Sequence, residues 1–63
     1  MTATAEPSDN GTRLDRFLSE KIETLSRSRA KALIKQGAVN IGDRVIEDPK
    51  LAVRPGDTFE LDM

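Results

Sequence analysis

Leu25-Ser26-Arg27-Ser28-Arg29-Ala30-Lys31-Ala32-Leu33-Ile34-Lys35-Gln36-Gly37-Ala38-Val39-Asn40-Ile41 changes its hydrophobic period partway along. In the first half, Ala30, Leu33 and Ile34 recur at the spacing of one helical face. Ser26, with Ser28 as the alternative, is the residue type that caps a helix N-terminus. Gly37 is a natural stop, because it tolerates the left-handed conformation that ends many helices. After Gly37 the pattern alternates: Val39 and Ile41 flank Asn40, as on a half-buried strand. The stretch therefore predicts a helix from Ser26 to about Gln36, followed by a strand.

Toward the N-terminus, Leu14, Phe17, Leu18 and Ile22 mark a first helix over Thr12 to about Ile22. Thr12 is its expected cap, with Asp15 three residues on as the capping-box partner. Residues 1–11 hold small and polar side chains, Pro7 and the turn pair Asn10-Gly11. They read as a disordered tail ahead of a domain over residues 12–63. Toward the C-terminus, Gly42-Asp43 fits a two-residue type II′ hairpin leading to Val45. Leu51 and Val53 form a brief extended piece. Pro55-Gly56 suits a tight turn, and Phe59 and Leu61 alternate with polar residues on a last strand. The expectation is an α+β domain, two helices packed on a small antiparallel sheet of short strands. Its expected core is Leu14, Phe17, Leu18, Ile22, Leu25, Ala30, Leu33, Ile34, Val39, Ile41, Val45, Leu51, Val53, Phe59 and Leu61.

With 63 residues, no Cys and no His, the chain has neither a disulfide framework nor the common zinc ligands, and must fold by packing alone. No metal or cofactor is expected. No apolar run reaches membrane-spanning length, no signal peptide is visible, and a cytoplasmic monomer is expected. Net charge is −1, which taken alone argues against nucleic acid. The charge is not evenly spread, however. Arg27, Arg29, Lys31 and Lys35 are four cations in nine residues, and no acid lies between Leu25 and Ile41. A local field of this kind attracts phosphate even on a neutral protein.

Arg27, Lys31 and Lys35 are four apart and share one stripe beside the apolar face. Arg27 and Arg29 stand near a helix N-terminus, where the dipole disfavours cations but exposed N–H groups attract phosphate. A plain solvated basic face is the alternative, and the lack of any compensating acid favours function. Arg13 and Arg16 open the first helix, either as ordinary surface paired with Asp15, Glu20 or Glu23, or as part of the same basic surface. Asp15 reads as a cap, since no partner or pocket for acid–base catalysis is visible. Phe17 and Phe59 both fall on core-facing positions, so no stacking platform for single-stranded bases is expected. Recognition would then rest on shape and phosphate contacts.

Four segments in order, Thr12-Arg13-Leu14-Asp15-Arg16-Phe17-Leu18, Leu25 to Ala30, Leu33 to Val39, and Val53-Arg54-Pro55-Gly56-Asp57, carry a family likeness. Together they resemble the RNA-binding domain first described in small-subunit ribosomal protein four. In form they are most similar to the N-terminal module of RluA-type pseudouridine synthases. The resemblance implies RNA lying on the helical surface, with Arg13, Arg16, Ser26, Arg27, Arg29, Lys31, Lys35 and Gln36 at the RNA-facing positions. The chain departs from the family at its hairpin turn, where many members have Asn-Gly and Gly42-Asp43 puts an acid near that surface. Nothing here resembles the catalytic domain of such an enzyme. The expected role is a module that docks structured RNA, rRNA or tRNA, as the substrate-binding part of a pseudouridine synthase. The alternatives are a free-standing ribosome or RNA binder, and a protein-interaction domain that sets its basic helix on an acidic partner.

Overall fold

Two helices are held against one antiparallel sheet in the computed structural model, which describes residues 1–62. Helix α1 spans Leu14–Lys21 and helix α2 spans Arg27–Lys35. The strands are β1 (Thr2–Thr4), β2 (Val39–Ile41), β3 (Arg44–Val45) and β4 (Thr58–Leu61), in sheet order β1-β4-β2-β3.

Helix α2 follows its sequence signals closely. The Ser26 hydroxyl oxygen accepts the Arg29 N–H at 3.1 Å and satisfies one of the orphan donors of the first turn. At the other end Gly37 adopts φ +79°. The Ala38 N–H reaches the Leu33 carbonyl at 3.0 Å and the Gly37 N–H the Ile34 carbonyl at 3.1 Å. Those two bonds form the Schellman motif and send the chain directly into β2.

Helix α1 begins differently from expectation. Arg13, not Thr12, occupies the cap position, and no side chain caps the helix there. The N–H groups of Leu14 and Asp15 are taken instead by the carbonyls of Leu51 (2.9 Å) and Pro49 (3.2 Å). Thr12 itself is tied to Val53 backbone to backbone at 2.9 Å. A neighbouring extended segment has thus replaced the side-chain cap. That segment, around Leu51–Val53, is no sheet strand; beside these bonds it forms one isolated β-bridge, between Arg13 and Ala52.

Strand β4 is central. Phe59 stands opposite both Ala3 and Ile41, and Leu61 opposite Val39. Phe59 and Leu61 are buried while Thr58 and Glu60 face out. The Phe17 and Phe59 rings lie 5.5 Å apart at a tilt of 56°, a favourable edge-on geometry that joins α1 to the sheet. Gly42 has φ +56° and Asp43 does not have positive φ, so the hairpin turn has the II′ rather than the I′ combination. The Asp57 N–H closes onto the Arg54 carbonyl at 3.1 Å around Pro55 and Gly56, whose φ of +90° marks a type II turn.

Other expectations are corrected as well. The disordered tail is instead a strap. Thr2–Thr4 pair with β4, Ala3 and Ala5 are buried, and a 3-10 turn covers Pro7–Asp9. Alanine offers little apolar area, so the sequence hides a segment anchored mainly by backbone bonds, among them Ala5 N–H to Asp57 O at 2.8 Å. Another correction is Val45, expected in the core but 55% exposed, with Ile46 buried in its place. A two-residue turn puts Arg44 opposite Ile41 and Val45 opposite Asn40, on the outer face. Ile41 and Leu51, also expected in the core, are only partly buried at its margin.

The strap is tied to α1 by charge. Lys21 Nζ lies 3.0 Å from Asp9 Oδ2 and 3.9 Å from Glu6 Oε1. The Glu6 N–H donates to Asp9 Oδ2 at 2.8 Å, and that bond, with Lys21 behind it, holds the Asp9 carboxyl below its usual 3.8. The Lys21 ammonium is raised above 10.5, first by its bond to Asp9. A lowered acid stabilises the fold at pH above its unfolded value and loses that contribution as pH falls through the folded one. A raised base contributes below its unfolded value and loses it as pH rises through the folded one. The strap should therefore loosen below pH 3.8 and above pH 10.5. Amide chemical shifts of Ala3 and Ala5 followed through an acid titration check this, and Lys21→Ala should show the loosened pattern already at neutral pH. Phe17→Ala should cost about 3–5 kcal/mol. A domain of this size has little more than that to lose. A cooperative melt near that of the wild type would place Phe17 outside the core.

Candidate nucleic-acid interface

The exposed side of α2 is a direct consequence of its buried side. Ala30, Leu33 and Ile34 face the core, which turns Arg27, Arg29, Lys31 and Lys35 outward, and all four are exposed. Arg27, Lys31 and Lys35 follow one another at four-residue steps along a single stripe, as their spacing predicts. None of the four takes part in an ion pair among the described residues. Ser26 and Gln36 stand at the two ends of the helix, both exposed and both in cap positions. The Ser26 oxygen is engaged with Arg29 N–H, and its hydroxyl proton is left to donate.

On α1 the cations are compensated. Arg16 Nε bonds Glu20 Oε2 at 3.1 Å, an i,i+4 pair with both side chains more than half exposed, which contributes little to stability. Arg13 is held more firmly. Its Nε and Nη2 reach the two oxygens of Asp15 at 3.2 and 3.0 Å. Asp15 is buried, and its Oδ1 also accepts the Arg16 N–H at 2.7 Å. The Arg13 side chain remains 46% exposed.

Beyond the helices, Arg44 and Arg54 line an open groove of about 620 Å³ together with Ile41, Ile46, Leu51 and Val53. Asn40 points its amide at the Gly42 carbonyl, 2.7 Å away, and so braces the hairpin turn. The sequence reading did not single out Lys21, whose partners Glu6 and Asp9 precede it by more than ten residues. Phe17 and Phe59 are fully buried, so neither offers a ring to a base. Among the described residues no cluster of potential metal ligands occurs, and no helix is long and apolar enough to cross a membrane. The chemistry on offer at α2 is fixed positive charge on a rigid support, with polar groups at both helix ends, suited to a polyanion.

Comparison with known proteins agrees with this geometry. The S4 domain family matches residues 12–59, from just ahead of α1 into β4, and leaves the strap outside. An uncharacterised RNA pseudouridine synthase of Synechocystis is 43% identical over 47 residues, 75% of this chain and 14% of that protein. Ribosomal large subunit pseudouridine synthase D of Haemophilus influenzae is 34% identical over 61 residues, 97% of this chain and 19% of that protein. The chain thus spans less than a fifth of the length of either relative. With two helices on an antiparallel sheet and a family match over most of its residues, the chain belongs to the S4 domain family and is an RNA-binding module.

Proposed function

We propose that structured RNA, ribosomal or transfer, docks on the basic face of α2, and that this module delivers it to the catalytic domain of a cytoplasmic pseudouridine synthase. The observation that carries this reading is the set of four exposed α2 cations with no acid paired to them among the described residues, on a helix whose adjoining apolar face is anchored in the core. The names of the two relatives supply the enzyme class. Docking raises the local concentration of substrate at a tethered active site without any chemistry in the module. Arg27, Lys31 and Lys35 meet successive phosphates, and Arg29 and Ser26 add donors at the positive end of the helix dipole. Gln36 supplies a donor at the far end, and Arg13 and Arg16 extend the surface on α1. With both phenylalanines buried, phosphate and shape contacts do the recognising, and those position the RNA rather than read its sequence.

Affinity for a structured RNA measured against salt tests this for Arg27→Ala, Arg29→Ala and Lys31→Ala, with Lys50→Ala as control. Lys50 lies off α2, in the loop whose Pro49 and Leu51 carbonyls take the first N–H groups of α1, with its own N–H bonded to Asp48. Each helix variant should weaken binding and flatten the log–log salt slope by roughly 0.7–0.9 for each phosphate no longer neutralised. Stability should change by only about 0.5 kcal/mol, as for other exposed positions. Lys50→Ala should bind like the wild type. Folded helix variants with unchanged affinity and slope would remove α2 from the interface and favour an acidic protein partner instead.

A further inference from the structure

Asp15 is the one buried charged residue among those described, and its two oxygens are both committed. Oδ1 accepts Arg13 Nε at 3.2 Å and Arg16 N–H at 2.7 Å, while Oδ2 accepts Arg13 Nη2 at 3.0 Å. A guanidinium has five N–H donors. The carboxylate takes two of Arg13's, which leaves three on the outer edge of a side chain that is 46% exposed. The backbone beneath is fixed as well, through the Arg13–Ala52 bridge and the bonds from Leu14 and Asp15 N–H to the Leu51 and Pro49 carbonyls. Arg13 is therefore an arginine immobilised on one edge and open on the other, the fork geometry that grips a phosphate with two parallel bonds.

We infer that Asp15 is a positioning residue for RNA binding, holding the Arg13 guanidinium with its free edge toward a phosphate. The inference rests on the RNA-docking reading above. The ordering of a long side chain has already been done in the folded protein, so binding does not incur it again. That saving amounts to about 2- to 12-fold in affinity for one such side chain. The paired charge is not wasted on Asp15, because the outer N–H groups stay polarised and solvent-facing.

Positioning and simple electrostatics predict opposite signs for one substitution. Asp15→Asn removes a negative charge and on charge alone should tighten binding to a polyanion. If Asp15 positions Arg13, the same change should weaken it. Asparagine can keep Oδ1 on the Arg16 N–H, preserving the helix start, while its amide N–H2 group faces Arg13 Nη2 donor to donor and breaks the fork. The experiment measures affinity for a structured RNA against salt for Asp15→Asn, Arg13→Ala, Arg13→Lys and the double variant Arg13→Ala with Asp15→Asn, each checked by its amide spectrum. Arg13→Ala should weaken binding by roughly 12- to 150-fold, the worth of one charge-assisted hydrogen bond. Asp15→Asn should weaken it in the wild-type background and not in the Arg13→Ala background. Arg13→Lys keeps the charge, loses the fork, and should fall between wild type and Arg13→Ala. It also tests the geometry from an exposed position should Asp15→Asn fail to fold. Tighter binding by a folded Asp15→Asn, or an Arg13→Lys variant equal to wild type in affinity and slope, overturns the positioning role. If Arg27→Ala and Lys31→Ala are silent in the same assay, it is the RNA-docking reading that fails.

Discussion

Burial of Ala30, Leu33 and Ile34 is the constraint on which the rest depends, because it obliges a helix of like charges to exist. Arg27–Lys31 and Lys31–Lys35 are like-charged i,i+4 pairs, each costing about 0.2–0.5 kcal/mol. Arg27 and Arg29 add about 0.3–1 kcal/mol each against the helix dipole. Set against this, Leu33 and Ile34 are almost fully buried, and each contributes about 1.5–3 kcal/mol on leaving water. Burial outweighs repulsion, though not by a wide margin. The Ser26 cap and the Gly37 stop then matter more than they would on a neutral helix, since they satisfy the ends of an element with little stability to spare.

The same burial sets direction. Because Ile34 and Leu33 point into the core and the Schellman motif at Gly37 feeds straight into β2, the basic stripe has a fixed orientation relative to the sheet. The sheet's outer face carries Thr58 and Glu60 and offers no comparable set of cations. Under the docking proposed above, an approaching RNA would meet an attractive side and an indifferent or repulsive one, and the fold would orient it before any close contact is made.

Most of α2 was legible in the sequence because its signals are local: a cap, a three-residue apolar face and a glycine stop within twelve residues. Its basic stripe was legible for the same reason, together with the absence of acids from Leu25 to Ile41. Where tertiary partners substitute for local ones, the reading missed. Carbonyls of Pro49 and Leu51 took the place of a Thr12 cap, and β4 captured an alanine-bearing segment whose pairing lies more than fifty residues away. Val45 could have been placed correctly, because a two-residue turn after Ile41 already puts it on the face of Asn40. The Arg13–Asp15 pair was visible as a possibility, but not that the carboxylate is buried and bidentate.

A net charge of −1 sits uneasily with a polyanion ligand until the placement of the charges is followed, and six of the eleven acids have a partner of their own. Asp15 is spent on Arg13 and the first turn of α1, and Glu20 on Arg16. Asp9 and Glu6 are spent on Lys21, while Asp48 and Asp57 take the backbone N–H groups of Lys50 and Arg54 in turns. All six do structural work, and the fields of the four beside a cation are largely cancelled at a distance. The cations of α2 have no ion-pair partner among the described residues, so no adjacent acid offsets their field. In the proposed docking the charge that matters is the set of unpaired cations on α2, a helix that carries no acid of its own.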